Sequence, residues 1–304
     1  MTSLAAMALL AVVTRPVANM HSSPSQSSEV VSQAILGSRV EVLERKSGWT
    51  RVRAQDQYTG WIASAMLSAG RDAPRGRVVT VESLFANLYR EPDVTRREPL
   101  MTVPFEARLE VVAEPGAEDR RWIEVRLPDG RRAWLQRGDA AFDPAPLDIP
   151  ASIAFARRFL GLPYLWGGTS TFGYDCSGFT QMLFRRRGIT IPRDSGPQMR
   201  WEGFVPVENT ALEPGDLVFF GSSAEKVTHT GMYVGSGEFI SATTWVRPVV
   251  QVSRLEVPWV RADRRRSAGG EVGPAIIEVH PDAVDVVQCH DQIRIVIPVH
   301  VLCY

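Results

Sequence analysis

The amino-acid sequence predicts a multidomain protein in which two small all-β barrels precede a larger α+β domain. Three observations lead to this prediction. The first half of the chain repeats one pattern of short strands, a proline-rich stretch follows the second copy, and the patterning beyond that stretch changes from strand-like to helix-like. A chain of 304 residues is long enough for two or three domains.

The repeat lies between residues 14 and 140, and its two copies share residue types and spacing. Trp49 and Trp61 in the first copy are separated by the same distance along the chain as Trp122 and Trp134 in the second. The other matched positions are Ala18-Asn19-Met20 with Ala86-Asn87-Leu88, Pro24 with Pro92, and Arg39-Val40-Glu41-Val42-Leu43 with Arg108-Leu109-Glu110-Val111-Val112. Such self-similarity predicts two copies of one structural unit.

Each copy is expected to fold as a few short strands joined by turns. Arg39 to Leu43, Trp49 to Arg53 and Gly60 to Ala63 are rich in β-branched and aromatic residues, and turn-forming residues lie between them. Several short strands in so short a segment suit a small barrel. We place the barrels at residues 12–70 and 78–141. Both resemble the bacterial SH3-like domain, which implies either binding of cell-wall peptide or glycan, or a spacer that shapes the neighbouring site.

A proline-rich linker is predicted at residues 142–150, since Asp143 to Pro150 contains three prolines. The α+β domain is then expected at residues 151–260. Its first element is a helix at Ser152 to Leu160, where apolar residues recur at helical spacing.

Cys176 is the candidate nucleophile of this domain. It stands in Asp175-Cys176-Ser177-Gly178-Phe179, directly before a pattern that predicts a helix to Arg187. The N–H groups and dipole at a helix start are expected to lower the pKa of a cysteine thiol and to stabilise an oxyanion. The alternative is a buried cysteine that serves only as a small apolar residue.

His229 is the candidate base. It lies in Val227 to Val234, a predicted strand, and Ser236-Gly237 predicts a tight hairpin into a following strand, Phe239 to Ala242. A histidine within reach of a cysteine can take the thiol proton and later protonate the leaving amine. The alternative is a histidine with only a structural role in its strand.

Four motifs in this order resemble the NlpC-type cysteine peptidases, papain-like α+β enzymes that cleave the peptide stems of bacterial cell wall. They are Tyr164-Leu165-Trp166-Gly167-Gly168, Asp175 to Phe179, Pro214-Gly215-Asp216-Leu217 and His229-Thr230-Gly231-Met232-Tyr233. Two barrels ahead of the peptidase domain resemble the subgroup that cleaves γ-D-glutamyl-L-diamino acid bonds and releases an L-Ala-γ-D-Glu dipeptide.

This resemblance also implies a set of substrate-binding residues. The loop with Arg193, Asp194 and Ser195 is expected to hold the amino end of the substrate, although Arg193 and Asp194 can alternatively form a surface ion pair. The positions near the nucleophile and the γ-D-glutamyl group are Tyr164, Trp166, Asp175 and Ser177.

Two features depart from the family pattern. Ser241 occupies the position at which the family most often has the third catalytic residue, a histidine that orients the imidazole. A serine hydroxyl, directly or through a water, can do this at shorter range, so we expect a weakened rate rather than a different reaction. Residues 261–304 form an additional tail, with Arg261 to Gly273 expected to be flexible and Ile276 to Leu302 expected to form two or three strands or no settled fold.

Composition excludes several other classes of protein. Lys and Arg number 34, as do Asp and Glu, so no broad basic surface indicates nucleic-acid binding. Three cysteines do not form a paired disulfide scaffold, and no ligand spacing predicts a metal site, so we expect no cofactor and no metal. The apolar run Leu4 to Val13 is too short to span a bilayer, so no integral membrane segment is expected. It is either a signal-peptide core or a first β-strand.

The partners expected from these features are peptidoglycan stem peptides or short muropeptides. Two alternatives to a peptidase are a wall-peptide binding protein weakened in catalysis by Ser241, and a related amidase or acyltransferase. The sequence leaves the compartment open between the cell envelope and cytoplasmic recycling of wall peptides.

Overall fold

The computed structural model describes residues 9–69, 76–113, 120–207, 211–221, 223, 225–255 and the strand at 297–301. The chain divides into two compact units. The first contains residues 1–145 and 165–174, and the second contains residues 146–164 and 175–304. The division at residue 145 falls inside the predicted linker. No helix among the described residues is long and apolar enough to cross a membrane.

The first barrel is a seven-stranded sheet in the order β3-β2-β6-β5-β4-β1-β7, with antiparallel pairing between the registered strands. Its inward-facing residues, among them Val13, Met20, Val52 and Ile62, are fully buried in one apolar cluster. The strands are β1 Leu10–Val13, β2 Val17–His21, β3 Val30–Ile35, β4 Arg39–Lys46, β5 Trp49–Arg53, β6 Thr59–Ala63 and β7 Leu67–Ala69.

The second barrel has the same strand order, β10-β9-β13-β12-β11-β8-β14, once each strand is matched to its counterpart in the first. This correspondence confirms the two-barrel fold predicted from the repeat. Leu36 of the first repeat packs into the second barrel's apolar cluster, which also contains Leu109 and Leu127. The strands are β8 Val78–Val81, β9 Phe85–Tyr89, β10 Met101–Pro104, β11 Arg108–Ala113, β12 Trp122–Arg126, β13 Arg132–Gln136 and β14 Ala140–Ala141.

Residues 165–174, here called the approach segment, belong to the same unit as the barrels. The segment is a small hairpin in which β15, Thr169–Ser170, pairs antiparallel with β16, Gly173–Tyr174. The sequence places it in the α+β domain with all of residues 151–260. In the structure the polar groups of the segment bond to β3 and to the loops of the second barrel.

The second unit combines three helices with an antiparallel sheet in the order β17-β22-β18-β19-β20-β21. Helix α2 packs on β19 and β20, and its residues from Cys176 to Phe184 are all buried. Phe159 contacts both Phe155 and Phe179 edge-on and so joins α1 to α2. The elements are α1 Ile149–Arg157, α2 Cys176–Arg186, α3 Ser195–Met199, β17 Phe204–Pro206, β18 Leu217–Gly221, β19 Val227–Gly235, β20 Glu238–Thr243, β21 Val249–Arg254 and β22 Ile297–Val301.

Helix α1 begins within the predicted linker. The Asp148 side chain accepts a hydrogen bond of 2.8 Å from the Ala151 N–H and caps the helix. Pro150 is tolerated in the first turn, where its missing N–H has no helical partner to lose.

Part of the tail joins the sheet of the second unit. Strand β22 lies between β17 and β18 and pairs antiparallel with both. The sheet of the second unit therefore includes a strand from beyond residue 260, the predicted end of this domain. The rest of the predicted tail, including Cys289 and His290, lies outside the described residues.

Candidate active site

The nucleophile lies at the first residue of α2, and its neighbour caps the helix. Asp175 has extended backbone angles, and its Oδ1 accepts a 2.7 Å hydrogen bond from the Gly178 N–H. The Ser177 hydroxyl donates to the same oxygen at 3.3 Å. Cys176 thus lies between Asp175 and Ser177, which are joined by this hydrogen bond. Cys176 itself is 8% exposed.

Arg193 clamps this helix start from a neighbouring loop. Its guanidinium donates to both carboxylate oxygens of Asp175, at 3.0 Å and 2.6 Å, and to Ser177 Oγ at 3.0 Å. The Arg193 side chain is almost fully buried. The surface ion pair considered for Arg193 is therefore wrong. A fork of this kind fixes the orientation of both partners as well as their charge.

A further residue, which the sequence does not point to, supports the clamp. Gln198, on α3, is fully buried. Its amide donates to the carbonyls of Ser177 at 3.0 Å and Pro192 at 2.8 Å, and its oxygen accepts from the Thr180 hydroxyl at 3.0 Å. No spacing in the sequence distinguishes this glutamine from an exposed one, so its role could be found only in three dimensions.

His229 and Ser241 form a diagonal pair on one face of the sheet. They lie on adjacent strands, β19 and β20, and His229 Nε2 is 3.1 Å from Ser241 Oγ. Ser241 is fully buried, and the imidazole lies against the ring of Phe220 at a centroid distance of 5.6 Å. The hydroxyl of Ser241 and the ring of Phe220 both contact the imidazole.

The space for this pair depends on Gly231, the residue of β19 that lies between them. A Cβ at this position would be 2.6 Å from the Phe239 ring and 3.1 Å from Ser241 Cβ. Both distances are shorter than ordinary van der Waals contact. Glycine is therefore required if Ser241 is to approach the imidazole.

The cysteine thiol lies beside the strand that carries His229. The backbone N–H groups of Thr230, the residue after His229, and of Ser177 lie close enough to the sulfur to favour its charged form. Helix α2, which begins at Cys176, packs on strand β19, which carries His229.

Burial is the largest influence on the pKa of the Cys176 thiol. With the negative charge of Asp175, it raises this pKa from 9.0 to about 12, against the opposing effects of the Thr230 N–H, the Arg193 guanidinium and the Ser177 N–H. The lowered pKa expected from the helix start was therefore wrong. The favourable N–H groups are present, but the loss of water around the sulfur outweighs them.

Tyr164 lies close to the same groups. Burial, followed by the charges of Cys176 and Asp175, raises the pKa of its phenol to about 12. Its hydroxyl is therefore a neutral hydrogen-bond donor at physiological pH.

The remaining predicted site residues fall in different places. Asp194 precedes α3 and Ser195 is its first residue, and both are partly exposed. Trp166 belongs to the approach segment in the first unit, where its side chain is 62% exposed and its indole N–H donates to Glu29 at 2.9 Å. In the described part of the chain, no three His, Cys, Asp or Glu side chains are grouped as metal ligands.

Comparison with known proteins gives two family matches. Residues 161–263 match the NlpC/P60 family, and residues 16–68 match the bacterial SH3 domain. The first match contains Cys176, His229 and Ser241. The second covers the first barrel.

Two curated relatives extend the likeness over most of the chain. A γ-D-glutamyl-L-lysine dipeptidyl-peptidase from Bacillus cereus is 36% identical over 252 residues, which are 77% of this chain and 73% of the relative. A protein of the same name from Bacillus subtilis is 31% identical over 221 residues, 69% of this chain and 71% of the relative.

A solved structure supports the same likeness in three dimensions. The crystal structure of an NlpC/P60 family protein from Bacillus cereus superposes with a TM-score of 0.70 at 30% sequence identity. The match covers 82% of this chain and 95% of the other.

Proposed function

Because this chain belongs to the NlpC/P60 family and is a cysteine peptidase, we propose that it hydrolyses the γ-D-glutamyl-L-diamino acid bond of cell-wall peptides. The names of the two Bacillus relatives support cleavage at this bond. The substrates are peptidoglycan stem peptides or the short muropeptides released from them.

The observation that carries the proposal is the position of the Cys176 sulfur. It lies at the start of α2, and the nearby backbone N–H groups of Ser177 and Thr230 favour its charged form; Thr230 is the neighbour of His229 in the sequence. A sulfur at this position can attack a carbonyl carbon while amide donors stabilise the oxyanion that forms. A histidine next to it can move the proton.

The reaction begins from a neutral thiol, since burial raises its pKa. The imidazole of His229 takes the thiol proton as the sulfur attacks the γ-carbonyl carbon of D-glutamate. The imidazolium then gives this proton to the nitrogen of the leaving diamino acid, and the C–N bond breaks. Water, deprotonated by His229, attacks the resulting thioester and releases the γ-carboxylate with the thiol restored.

Ser241 serves as the orienting group in this scheme. With Nε2 protonated, the imidazole donates to Ser241 Oγ, and Nδ1 is the nitrogen that exchanges the proton with the thiol. A serine hydroxyl is shorter than the histidine expected at this position, so it orients the imidazole only at close range. This supports the expected weak rate while leaving the reaction unchanged.

Several residues complete the proposed substrate site. Tyr164 contributes a neutral donor beside the nucleophile, and Asp194 and Ser195 contribute accessible polar surface. A substrate contact of Trp166 stays a prediction from the family resemblance. Arg193 does not fit the role of a direct substrate ligand, because its guanidinium is occupied by Asp175 and Ser177. We assign it to positioning of the nucleophile.

The test is incubation of the full chain with L-Ala-γ-D-Glu-L-Lys and with the diaminopimelate analogue, followed by mass spectrometry. We expect release of L-Ala-γ-D-Glu from at least one peptide, and none from the α-linked D-Glu isomer. The Cys176→Ala variant is the matched control and should release nothing. Absence of release over a full pH series would overturn the proposal.

A second candidate function is binding of wall peptides without turnover. The uncharged Ser241 and the raised thiol pKa favour it. Calorimetry with the same peptides separates the two functions, since a binding protein would show heat of binding with intact peptide recovered.

A further inference from the structure

A cleft lies between the two barrels, inside the first unit. Its volume is about 420 Å³, and residues of both barrels line it. Ligand sites in proteins have volumes of about 300–1,000 Å³, so the cleft has room for a small molecule. None of the residues assigned to the peptidase reaction lines it.

A backbone contact between the barrels holds this cleft in shape. The Arg108 N–H on β11 donates to the Leu36 carbonyl at 3.1 Å, and the Leu36 side chain is buried in the apolar cluster of the second barrel. Gly37 follows with φ of +81°, and a Cβ there would lie 1.9 Å from the Arg108 carbonyl oxygen. Only glycine permits so close an approach. The cleft is therefore already formed in the free protein.

The cleft carries an excess of positive charge. Among the described residues that line it, the charged ones are Arg39, Arg108, Arg126 and Glu110. Arg126 and Glu110 form an ion pair at 3.7 Å, so their charges offset each other. Two positive charges then remain, at Arg39 and Arg108. Neither of these arginines has an ion-pair partner among the residues that the structure describes.

The repeat relates these two arginines to each other. Arg39 and Arg108 are the first residues of β4 and β11, which are matching strands of the two barrels. In each copy the glutamate two positions later pairs with an arginine of the following strand, at 2.8 Å for Glu41 and 3.7 Å for Glu110. Each barrel thus contributes the same unpaired arginine of its repeat to one shared cleft.

An anion is the ligand that two such arginines fit. A guanidinium presents paired N–H donors that match two oxygens of a carboxylate or a phosphate. With one arginine from each barrel, the cleft suits a small molecule with two anionic groups or with one doubly charged group. Ser38, Gln55 and Ser68 line the same space and offer further hydrogen-bonding groups.

We propose that the cleft between the barrels is a binding site for a small dianion, which Arg39 and Arg108 hold together. The ligand class is a carboxylate or phosphate anion. The site lies wholly within the first unit and does not depend on the proposed peptidase function. It gives the pairing of two barrels a binding role that requires both of them.

The test is an NMR titration of the full chain, with isotope-labelled arginine, at constant ionic strength and slightly above neutral pH. The probes are glutarate, which is a dicarboxylate, inorganic phosphate, and acetate as a monoanion. We expect the Nε–H signals of Arg39 and Arg108 to shift and saturate with glutarate, phosphate or both, with a Kd of about 1 mM or tighter. Acetate should not saturate in this range. The dianion that saturates identifies the ligand as carboxylate or phosphate.

Variants show whether the two arginines act together. Arg39→Gln and Arg108→Gln should each raise the Kd roughly tenfold or more, because each removes charge-assisted hydrogen bonds. Glu110→Gln removes the negative charge of the cleft and should lower the Kd roughly two- to fivefold. Arg51→Gln is the matched control, since Arg51 is an exposed arginine of the first barrel that does not line the cleft. It should keep the Kd within about twofold.

Three results would overturn the proposal. The first is the absence of saturation with either dianion in the wild-type protein, which would leave the cleft as a solvated gap between the barrels. The second is an unchanged Kd in folded Arg39→Gln and Arg108→Gln. The third is an equal rise of the Kd in Arg51→Gln. The wild-type titration decides the matter even where a variant does not fold, and peptide hydrolysis is measured separately.

Discussion

Arg193 and Asp175 form a buried, two-point ion pair directly beside the nucleophile. The two guanidinium–carboxylate distances are 3.0 Å and 2.6 Å, and both side chains are at least nine-tenths buried. The pair connects the loop before α3 to the cap of α2. The orientation of Cys176 therefore depends on an interaction between residues that are 18 positions apart.

Replacement of Arg193 by methionine should strongly destabilise the second unit. Asp175 would remain buried without its partner, and breaking such a pair costs about 3–5 kcal/mol. Chemical denaturation measures the loss. Arg254→Met is the control, because Arg254 pairs with Glu238 at 3.9 Å on the surface and should change stability by no more than about 0.5 kcal/mol. Equal losses of stability in the two variants would show that the buried pair of Arg193 and Asp175 contributes no more than a surface ion pair.

Removal of the Ser241 hydroxyl should reduce turnover rather than substrate affinity. In Ser241→Ala the imidazole loses its contact with the Ser241 hydroxyl and is oriented less strictly, so kcat should fall roughly tenfold with KM nearly unchanged. Ser253→Ala on the adjacent strand β21 removes a hydroxyl that does not touch His229 and serves as control. An unchanged kcat in Ser241→Ala would mean that the Ser241 hydroxyl is not needed to orient the ring.

The alkylation rate of Cys176 should increase continuously with pH through the neutral range. The folded-state pKa of about 12 is above the ordinary value of 9.0, so the thiol is protonated at neutral pH and the reactive thiolate accumulates only in alkali. Iodoacetamide labelling followed by mass spectrometry measures this profile. A plateau of fast labelling at neutral pH would instead indicate a preformed thiolate–imidazolium pair.

The same pKa has a consequence for stability. A thiol that ionises less readily when folded loses its proton first in the unfolded chain, so stability is complete below about pH 9 and declines between there and about pH 12. Cys176→Ala should decline less steeply over this window in thermal scans. Identical slopes for the two proteins would contradict the raised pKa.

Replacement of Gly231 by alanine should disturb both stability and activity. The added methyl would meet the Phe239 ring at 2.6 Å and the Ile240 carbonyl oxygen at 3.0 Å, and overpacking of this kind costs about 1–3 kcal/mol. Gly196→Ala on α3 is the control for stability, since only the flexible end of Arg200 lies near its Cβ position. Full activity of Gly231→Ala would show that β19 and β20 can move apart without disturbing the contact between His229 and Ser241.

Local patterns were sufficient to predict the barrels and the start of α2. The alternation of apolar residues and the turn residues between them fix strands such as β5, and the tryptophan spacing by itself reveals the repeat. The Asp175 cap is equally local. These features depend on neighbours in sequence, which a single chain displays directly.

The rest depended on contacts between distant parts of the chain. The Arg193 fork, the role of Gln198 and the place of β22 in the sheet all join residues that nothing in the sequence relates. The pKa of Cys176 was wrong in direction for a similar reason. The helix start is visible in the sequence, but the burial that outweighs it is a property of the assembled site.

The membership of the approach segment in the barrel unit limits how this protein can be recombined. The polypeptide leaves the peptidase unit at Tyr164, completes a surface of the barrels, and returns at Asp175. In a chimera that exchanges only residues 1–145, the hairpin would lose its hydrogen-bond partners Gln33 and Leu84. The barrels and this hairpin must therefore be inherited together, as one discontinuous module.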